Sequence, residues 1–257
     1  MALARPASLA ENAGLAFFGE TLWEPAQLTV RQAKSFLAAQ NPTGRPNADV
    51  IRRLVGIKSG KVVEYTQIDF PAHFHEQEAG LYLKPASHLQ AKQDDPSASW
   101  WLNPHANSAL RTAIARLDRY LATPLSAEMP AWDWIDSECL PTASLLAVAR
   151  DDDFAHGVLQ SRFFKIWWDV WTPQLSPCEI MESLPFPWPP TTLLSALTRT
   201  QEDYRLAIAR AARSGAQDQL DDAVAAAYAE SNETTDEQVI VRLENLNRQR
   251  AVSDATM

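Results

Sequence analysis

Two short stretches of the chain carry residue types that metal sites and acid–base chemistry use. Residues 73–78 contain two histidines and two glutamates, and residues 151–153 are three consecutive aspartates. Alternate residues share a face on a strand, but His73 and His75 lie in a segment with a helical pattern, where they diverge. We therefore predict no metal site there. The aspartates precede an amphipathic segment, and carboxylates at a helix start accept hydrogen bonds from its free N–H groups, so we predict an N-cap.

The motifs of a self-sufficient enzyme are missing from the sequence. A Rossmann-type cofactor site needs clustered glycines after a strand, and the eight glycines here are scattered. The Asn-Pro pairs at 41–42 and 103–104 continue as Thr-Gly and His-Ala. They do not continue as the Pro-Tyr or Pro-Phe with which adenine-N6 methyltransferases hold a flipped base. There is no P-loop or Gly-x-Ser-x-Gly turn, and no lysine has an acid two residues before it. We predict that the chain alone is not an enzyme and binds neither cofactor nor metal.

Aromatic, amide and basic residues recur together in two regions of the sequence. They are Trp100, Trp101, Asn103, His105, Arg111 and Arg119 in the first region, and Arg162, Lys165, Trp167 and Trp168 in the second. Arginine and lysine contact phosphates, asparagine and arginine read base edges, and aromatic rings stack on unpaired bases. The alternative is that the tryptophans pack in the core and the basic residues form a solvated face.

The charge is distributed unevenly along the chain, whose net charge is -9. Residues 1–125 hold 13 basic and 11 acidic residues, whereas residues 126–257 hold 10 basic and 21 acidic residues. Residues 31–61 contain seven basic residues and only one acidic residue, Asp49. Because DNA binding requires a local positive face and not a basic whole, this segment is compatible with a nucleic-acid surface. A solvated helix face is the alternative.

Composition predicts a folded protein of the cytoplasm. A chain of 257 residues that is 46% hydrophobic buries a substantial core. No apolar run reaches the roughly 18 residues that span a bilayer, and the first residues do not resemble a signal peptide. Cys139 and Cys178 give neither a disulfide framework nor a metal-binding spacing, so we expect two reduced thiols and no membrane association.

Hydrophobic periodicity and turn residues predict an α+β fold in which a mixed region precedes a helical tail. We expect helices at 28–37 (opened by Thr29), 73–82, 109–121, 158–171, 193–212, 219–229 and 235–248, strands at 61–70 and 144–149, a short amphipathic element at 50–55, and loops at 41–47 and 93–99. The prolines at 187, 189 and 190 form a stiff break before the last three helices.

Six blocks, in order along nearly the whole chain, resemble one protein family. They are Leu9–Gly19; Asn41-Pro42 with Asp49–Arg52, Ile68–Phe70, Glu78-Ala79 and Tyr82; Trp100-Trp101 with Leu117–Pro124; Asp152–Phe154 with Gly157–Arg162 and Trp167; Leu184–Pro187; and Leu220–Tyr228 with Leu246–Arg248. Together they are similar to the C-terminal half of MmeI-type (Type IIG/IIL) restriction–modification DNA methyltransferases. The family's catalytic half has no counterpart here, so the resemblance implies a split gene, a separate specificity subunit or a remnant.

The resemblance implies a DNA target-recognition domain at 1–190 and a small C-terminal helical domain at 191–257. Such a module binds double-stranded DNA and positions an adenine for a methyltransferase domain supplied in trans, which would bind S-adenosylmethionine. The predicted DNA-contacting residues are Arg52, Arg53, Lys58, Lys61 and Lys84 at phosphates, Trp101, Asn103, His105 and Arg111 near the bases, and Arg162. The alternative is a non-catalytic scaffold whose acidic helical tail docks another protein.

Overall fold

The chain has an α+β fold, as predicted, in a computed structural model that describes residues 4–92 and 99–254. Its helices in these ranges are α1 (Val30–Leu37), α2 (Glu76–Gly80), α3 (Leu83–Gln90), α4 (Ser108–Ile114), α5 (Asp153–Gln160), α6 (Arg162–Trp171), α7 (Pro177–Ser183), α8 (Arg199–Ser214), α9 (Gln217–Ala227) and α10 (Asp236–Asp254). Its strands are β1 (Ala16–Phe18), β2 (Ile51–Lys58), β3 (Lys61–Ile68), β4 (Arg119–Pro124), β5 (Asp133–Asp136), β6 (Cys139–Pro141) and β7 (Leu145–Val148). Short 3-10 turns lie between them. Most of the loop predicted at 93–99 lies outside the described residues.

The chain divides into two compact units, each assembled from separate stretches. The first unit takes its described residues from Met1–Phe17, Thr112–Ile135 and Leu146–Met257. The second unit takes them from Phe18–Arg111 and Asp136–Leu145. These bounds differ from a division at residue 190, because the C-terminal helices share a hydrophobic core with α5 and α6. The functional division into 1–190 and 191–257 stays a prediction.

The second unit is built around a three-stranded sheet in the order β3-β2-β6. β2 pairs antiparallel with β3 and parallel with β6, so it is the central strand. Apolar side chains from α2, α3 and the end of β3 pack together, with Ile68 and Ala79 fully buried. α1 begins where it was predicted to begin, because Thr29 accepts a hydrogen bond from the Gln32 backbone N–H and Gln32 bonds back.

The first unit packs helices α5 to α10 with a four-stranded sheet in the order β1-β7-β4-β5. Its core is rich in aromatic side chains with almost no exposure, among them Trp132, Phe163, Phe164, Trp167 and Trp171. Close packing requires a glycine in α5, because a Cβ at Gly157 would lie 2.5 Å from Cγ2 of Ile208.

Asp152 is the N-cap of α5, as the sequence predicted for the aspartate run. Its carboxylate accepts a hydrogen bond from the Ala155 N–H at 2.8 Å. Asp153 forms ion pairs with Arg119 and Arg213, which lie on β4 and α8. The acidic run therefore has a structural role within the first unit.

Four predicted elements differ from the structure, two of them for identifiable reasons. The helix predicted at 109–121 ends at Ile114, and the strand β4 begins at Arg119. Four consecutive β4 residues are buried, and a buried apolar run is compatible both with a strand covered on its two faces and with a helix. The helix predicted at 158–171 is two helices, because the Ser161 side chain accepts a hydrogen bond from Phe164 N–H and caps α6. The helix predicted at 73–82 begins only at Glu76, and the helix predicted at 193–212 begins only at Arg199.

Candidate functional site

A β-hairpin formed by β2 and β3 carries four of the ten predicted DNA-contacting residues. Its two strands are joined by Ser59 and Gly60, whose φ angles are 52° and 73°. Two successive positive φ angles are typical of a tight two-residue hairpin turn, and glycine adopts such an angle at little cost. Lys58 and Lys61 are direct cross-strand partners beside this turn, and both are exposed. The hairpin tip thus presents two ammonium groups from adjacent positions.

The inner face of the hairpin fixes it to the rest of the second unit. Leu54 and Gln67, whose side chains project to this face, have no exposure. Gly56 lies so close to the segment after β6 that an added Cβ would be 2.0 Å from Oγ1 of Thr142. The Ile57 N–H also donates to Oγ of Ser144 at 2.7 Å. The base of the hairpin is therefore tightly packed, while its tip is open to solvent.

Arg52 and Arg53 lie near the base of the hairpin and, as neighbours in a strand, project to opposite faces. Both are exposed, and within the described ranges neither forms an ion pair, nor do Lys58 and Lys61. Four cationic groups of the hairpin are therefore available to an external anion.

The thiol of Cys139 is the cross-strand partner of Arg53 on the neighbouring strand β6. Burial raises the pKa of this thiol to about 11; Arg53 opposes the shift, and Glu64 and Asp136 add to it. The thiol is thus protonated at neutral pH and is not a reactive nucleophile. The same interactions place Arg53, Glu64 and Asp136 around one patch of the sheet.

The predicted base-reading group around Trp101 is partly used for packing. The Trp100 indole N–H donates to Oε1 of Glu76, and that of Trp101 donates to the Phe74 carbonyl, both at 2.8 Å. Trp100 is buried and Trp101 is half-buried, so the two rings belong mainly to the core of the second unit. This position agrees with the packing alternative considered for the tryptophans.

Asn103 and His105 lie in the loop that follows the two tryptophans. Oδ1 of Asn103 accepts the His105 backbone N–H at 2.9 Å. Nδ2 of Asn103 is buried and has no hydrogen-bond partner among the described residues. The His105 side chain is exposed. A role for both residues in DNA contact stays a prediction.

Arg111 is the centre of an ion-pair cluster with Glu20 and Asp69. Its Nε and Nη2 donate to the two Glu20 carboxylate oxygens at 2.6 and 2.7 Å, and its Nη1 and Nη2 donate to Asp69 at 2.8 and 3.0 Å. Glu20 and Asp69 are 1% and 4% exposed. Burial lowers the pKa of Arg111, but the hydrogen bonds to both carboxylates outweigh it and raise the pKa above its ordinary value.

This cluster gives Arg111 a structural role that the sequence did not suggest. Glu20 Oε1 also accepts the Asn107 backbone N–H at 3.0 Å, which ties the start of α4 to the same carboxylate. Two bidentate carboxylate contacts occupy four of the five guanidinium N–H groups. The observed contacts of Arg111 are thus structural, and its role in DNA contact stays a prediction.

Lys84 and Arg162 are also engaged within their own units. Nζ of Lys84 donates to Oγ and the carbonyl oxygen of Ser35, at 2.7 and 3.2 Å, near the end of α1. The Arg162 guanidinium donates to the carbonyl oxygens of Asn232 and Thr234 and pairs with Asp236. Both side chains hold helices in place, and the contacts of Lys84 lie off the hairpin.

The described part of the chain contains neither a cluster of side chains placed to hold a metal ion nor a helix able to span a membrane. Within this part, no group of three or more His, Cys, Asp or Glu side chains is placed to hold a metal ion. The His75 backbone N–H donates to Oε2 of Glu78 at 3.0 Å, so these two residues shape the start of α2. None of the described helices is long and apolar enough to cross a bilayer.

The arrangement defines an α+β protein with an exposed cationic hairpin on one of its two units. No protein family matches its sequence, and no curated protein matches it. Among solved structures, the fold is similar to that of the Type IIL restriction–modification enzyme MmeI, whose structure was determined in complex with DNA. The TM-score is 0.58 and the sequence identity is 14%, over 93% of this chain. The match covers 36% of the MmeI chain, so this protein spans about a third of that enzyme's length.

Proposed function

We propose that this chain is the DNA recognition module of a restriction–modification system. In this proposal it binds a specific duplex site and positions an adenine for a methyltransferase domain that the chain does not contain. The observation that carries the proposal is the set of four exposed, unpaired cationic side chains on one hairpin, in a fold similar to part of a DNA-bound enzyme. Arg52, Arg53, Lys58 and Lys61 would bind phosphates and supply most of the affinity.

S-adenosylmethionine is assigned in this proposal to the partner domain. A dinucleotide-type cofactor site needs a glycine-rich loop between a strand and a helix. Within residues 4–92 and 99–254, the glycines with positive φ are Gly14, Gly44, Gly60 and Gly215, and each stands alone in its turn. These residues do not fit the cofactor. The chain would therefore contribute recognition, and the methyl-transfer step would occur entirely in the partner.

The number of free cations predicts how DNA binding responds to salt. Displacing counterions from four phosphates gives a slope of about -3.6 for the logarithm of the binding constant against the logarithm of the salt concentration. Between 50 and 200 mM salt, affinity would then fall by about 150-fold. Fluorescence anisotropy with a labelled random-sequence duplex measures this slope. Absent binding at 50 mM salt, or binding that does not change with salt, would refute the proposal.

A second candidate function, a protein-docking scaffold, has an observation of its own in the first unit. Leu193 and Leu194, just before α8, are 73% and 65% exposed. They border a cavity of about 410 Å³ that is also lined by Trp188, Leu197 and Arg205. Exposed leucines beside a cavity are typical of docking surfaces. The double variant Leu193→Ser/Leu194→Ser should lose capture of a methyltransferase subunit, if this surface docks it, while keeping DNA affinity.

A further inference from the structure

The outer face of the β2–β3 hairpin is a chemically mixed surface, half-buried at Val55, Ile57 and Thr66 and exposed at its other positions. We define this outer face as the side chains of Arg53, Val55, Ile57, Val62, Glu64 and Thr66. The antiparallel register arranges them in three rows, in which Arg53 faces Thr66, Val55 faces Glu64, and Ile57 faces Val62. Arg53, Glu64 and Val62 are exposed, and Val62 is 71% exposed. The inner face, with Leu54 and Gln67 fully buried, holds the hairpin in place.

Folding alone gives no reason for several features of this hairpin. Lys58 and Lys61 are direct cross-strand partners, and like charges in that position destabilise a strand pair. The exposed Val62 gains no burial. Glu64 and Arg53 occupy diagonal positions on the outer face, but they are not among the ion pairs of the described residues. Local conflicts of this kind are expected where a surface is kept for binding.

The types of side chain on the outer face match base edges better than phosphates. Arginine pairs with guanine O6 and N7, glutamate accepts from cytosine N4, and a valine methyl contacts the thymine methyl group. A surface that binds only phosphates would gain nothing from Glu64, because its carboxylate repels them. The acid therefore distinguishes a base-reading face from a phosphate-binding face.

The dimensions of the hairpin fit the major groove of B-form DNA. β6 pairs with β2 only at residues 53–55, so the hairpin is a two-stranded ribbon from Gly56 to Val63. Glu64 follows directly after this ribbon, on β3, which is the edge strand on the side away from β6. A two-stranded ribbon enters the major groove, which is about 12 Å wide, but not the minor groove of about 6 Å. Rows on one face are two residues apart, or about 7 Å, which is close to two base-pair steps.

We infer that the hairpin lies in the major groove with its outer face toward the bases, so that Glu64 and Val62 select base pairs. In this assignment Arg53 reads a base pair from the base of the hairpin in place of a phosphate. Lys58 and Lys61, which the register places on the opposite face at the tip, reach past the edge of the hairpin to the flanking phosphates. This inference rests on the proposed function, because it assigns the sequence choice of the module to one face of one element.

Selection of binding sites from a randomised duplex library tests this assignment. The wild-type chain and the variants Glu64→Gln, Val62→Thr and Arg53→Lys are each used for selection, and the bound DNA is sequenced. Glu24→Gln and Arg31→Lys are matched controls, since both residues are exposed in the same unit and lie off the hairpin. All substitutions are at exposed positions, and an unchanged melting temperature would show that each variant is folded.

Each hairpin variant should change the relative preference for one base over another at its own position by roughly 10-fold, whereas the controls should select the wild-type site. Dimethyl sulfate should be excluded from guanine N7, in the major groove, but not from adenine N3, in the minor groove. Replacement of the thymine opposite Val62 by uracil should weaken wild-type binding and leave Val62→Thr less affected.

Three results would overturn the inference in distinguishable ways. If the wild-type chain binds no duplex, the proposed function fails and this assignment fails with it. If the wild-type chain binds a specific site but all three hairpin variants select the same sequence, the chain recognises DNA through another surface and only this inference is wrong. Equal competition by duplex RNA would also contradict it, because the deep, narrow major groove of A-form RNA excludes the ribbon.

Discussion

The variant Arg111→Ala tests the reassignment of Arg111 from base reading to structure. The substitution leaves Glu20 and Asp69, which are 1% and 4% exposed, without the guanidinium that neutralises them. Removing one partner of a buried ion pair typically costs about 3–5 kcal/mol, because a charge remains buried without compensation. Arg111 forms ion pairs with two carboxylates, and its side chain is 26% exposed. We therefore expect a loss of about 3 kcal/mol at neutral pH.

Urea denaturation of the wild type, Arg111→Ala and Arg116→Ala at pH 7.5 measures this loss. Arg116 is an exposed arginine nearby in the sequence, and its removal should change stability by less than about 0.5 kcal/mol. If Arg111→Ala is as stable as Arg116→Ala at pH 7.5, the cluster contributes nothing to folding. Arg111 would then return to the candidates for base reading.

Three further predictions concern packing, capping and a buried thiol. Gly157→Ala should lower the free energy of unfolding by about 1 kcal/mol, because overpacking against Ile208 outweighs the gain in helix propensity. Gly80→Ala is the control, because a Cβ added at Gly80 would meet no atom within 4 Å. Asp152→Ala should cost about 1 kcal/mol through loss of the α5 N-cap, and thermal melting would show it; an unchanged melting temperature would contradict the capping role. Cys139 should react with iodoacetamide at pH 8 far more slowly in the folded than in the urea-unfolded chain, because burial raises its pKa to about 11. Equal rates of alkylation in the folded and unfolded chain at pH 8 would contradict this prediction. The raised pKa also means that the protonated thiol stabilises the fold below its ordinary pKa, and that this stabilisation is lost as the pH rises toward 11.

Local signals in the sequence predicted the elements whose cause is local. The N-caps at Thr29 and Asp152 depend on residues within three positions, and the structure confirms both. The strand predicted at 61–70 is confirmed as β3, because its β-branched and aromatic residues favour a pleated, half-buried surface. The α+β class follows from the same signals.

Features that depend on distant residues were not predictable in this way. Glu20 lies 91 residues and Asp69 lies 42 residues from Arg111, so no spacing rule connects them. The start of β4 was predicted as part of a helix, because a buried apolar run is compatible with the helical period of about 3.6 residues and with the strand period of about 2. The positive φ at Ser59, which closes the hairpin with Gly60, is also uncommon outside glycine, asparagine and aspartate.

The candidate site was predicted in part. The sequence identified the cations of the hairpin, since a basic segment is visible in the composition of residues 31–61. It did not identify Glu64 or Val62, because their shared face with Arg53 exists only once the register of β2 and β3 is known. A Ser-Gly pair between two β-branched runs was the available signal for that register.

The central claim, that the hairpin cations bind DNA phosphates, is tested most directly by the salt dependence of a charge-deleted variant. Lys58→Ala/Lys61→Ala is compared with the wild type and with Lys92→Ala, an exposed lysine of the same unit, in duplex titrations from 50 to 200 mM salt. We predict that the slope of the double variant is shallower by about 2, or about 1 for each lysine, while Lys92→Ala keeps the wild-type slope. Identical slopes for all three proteins would contradict the account.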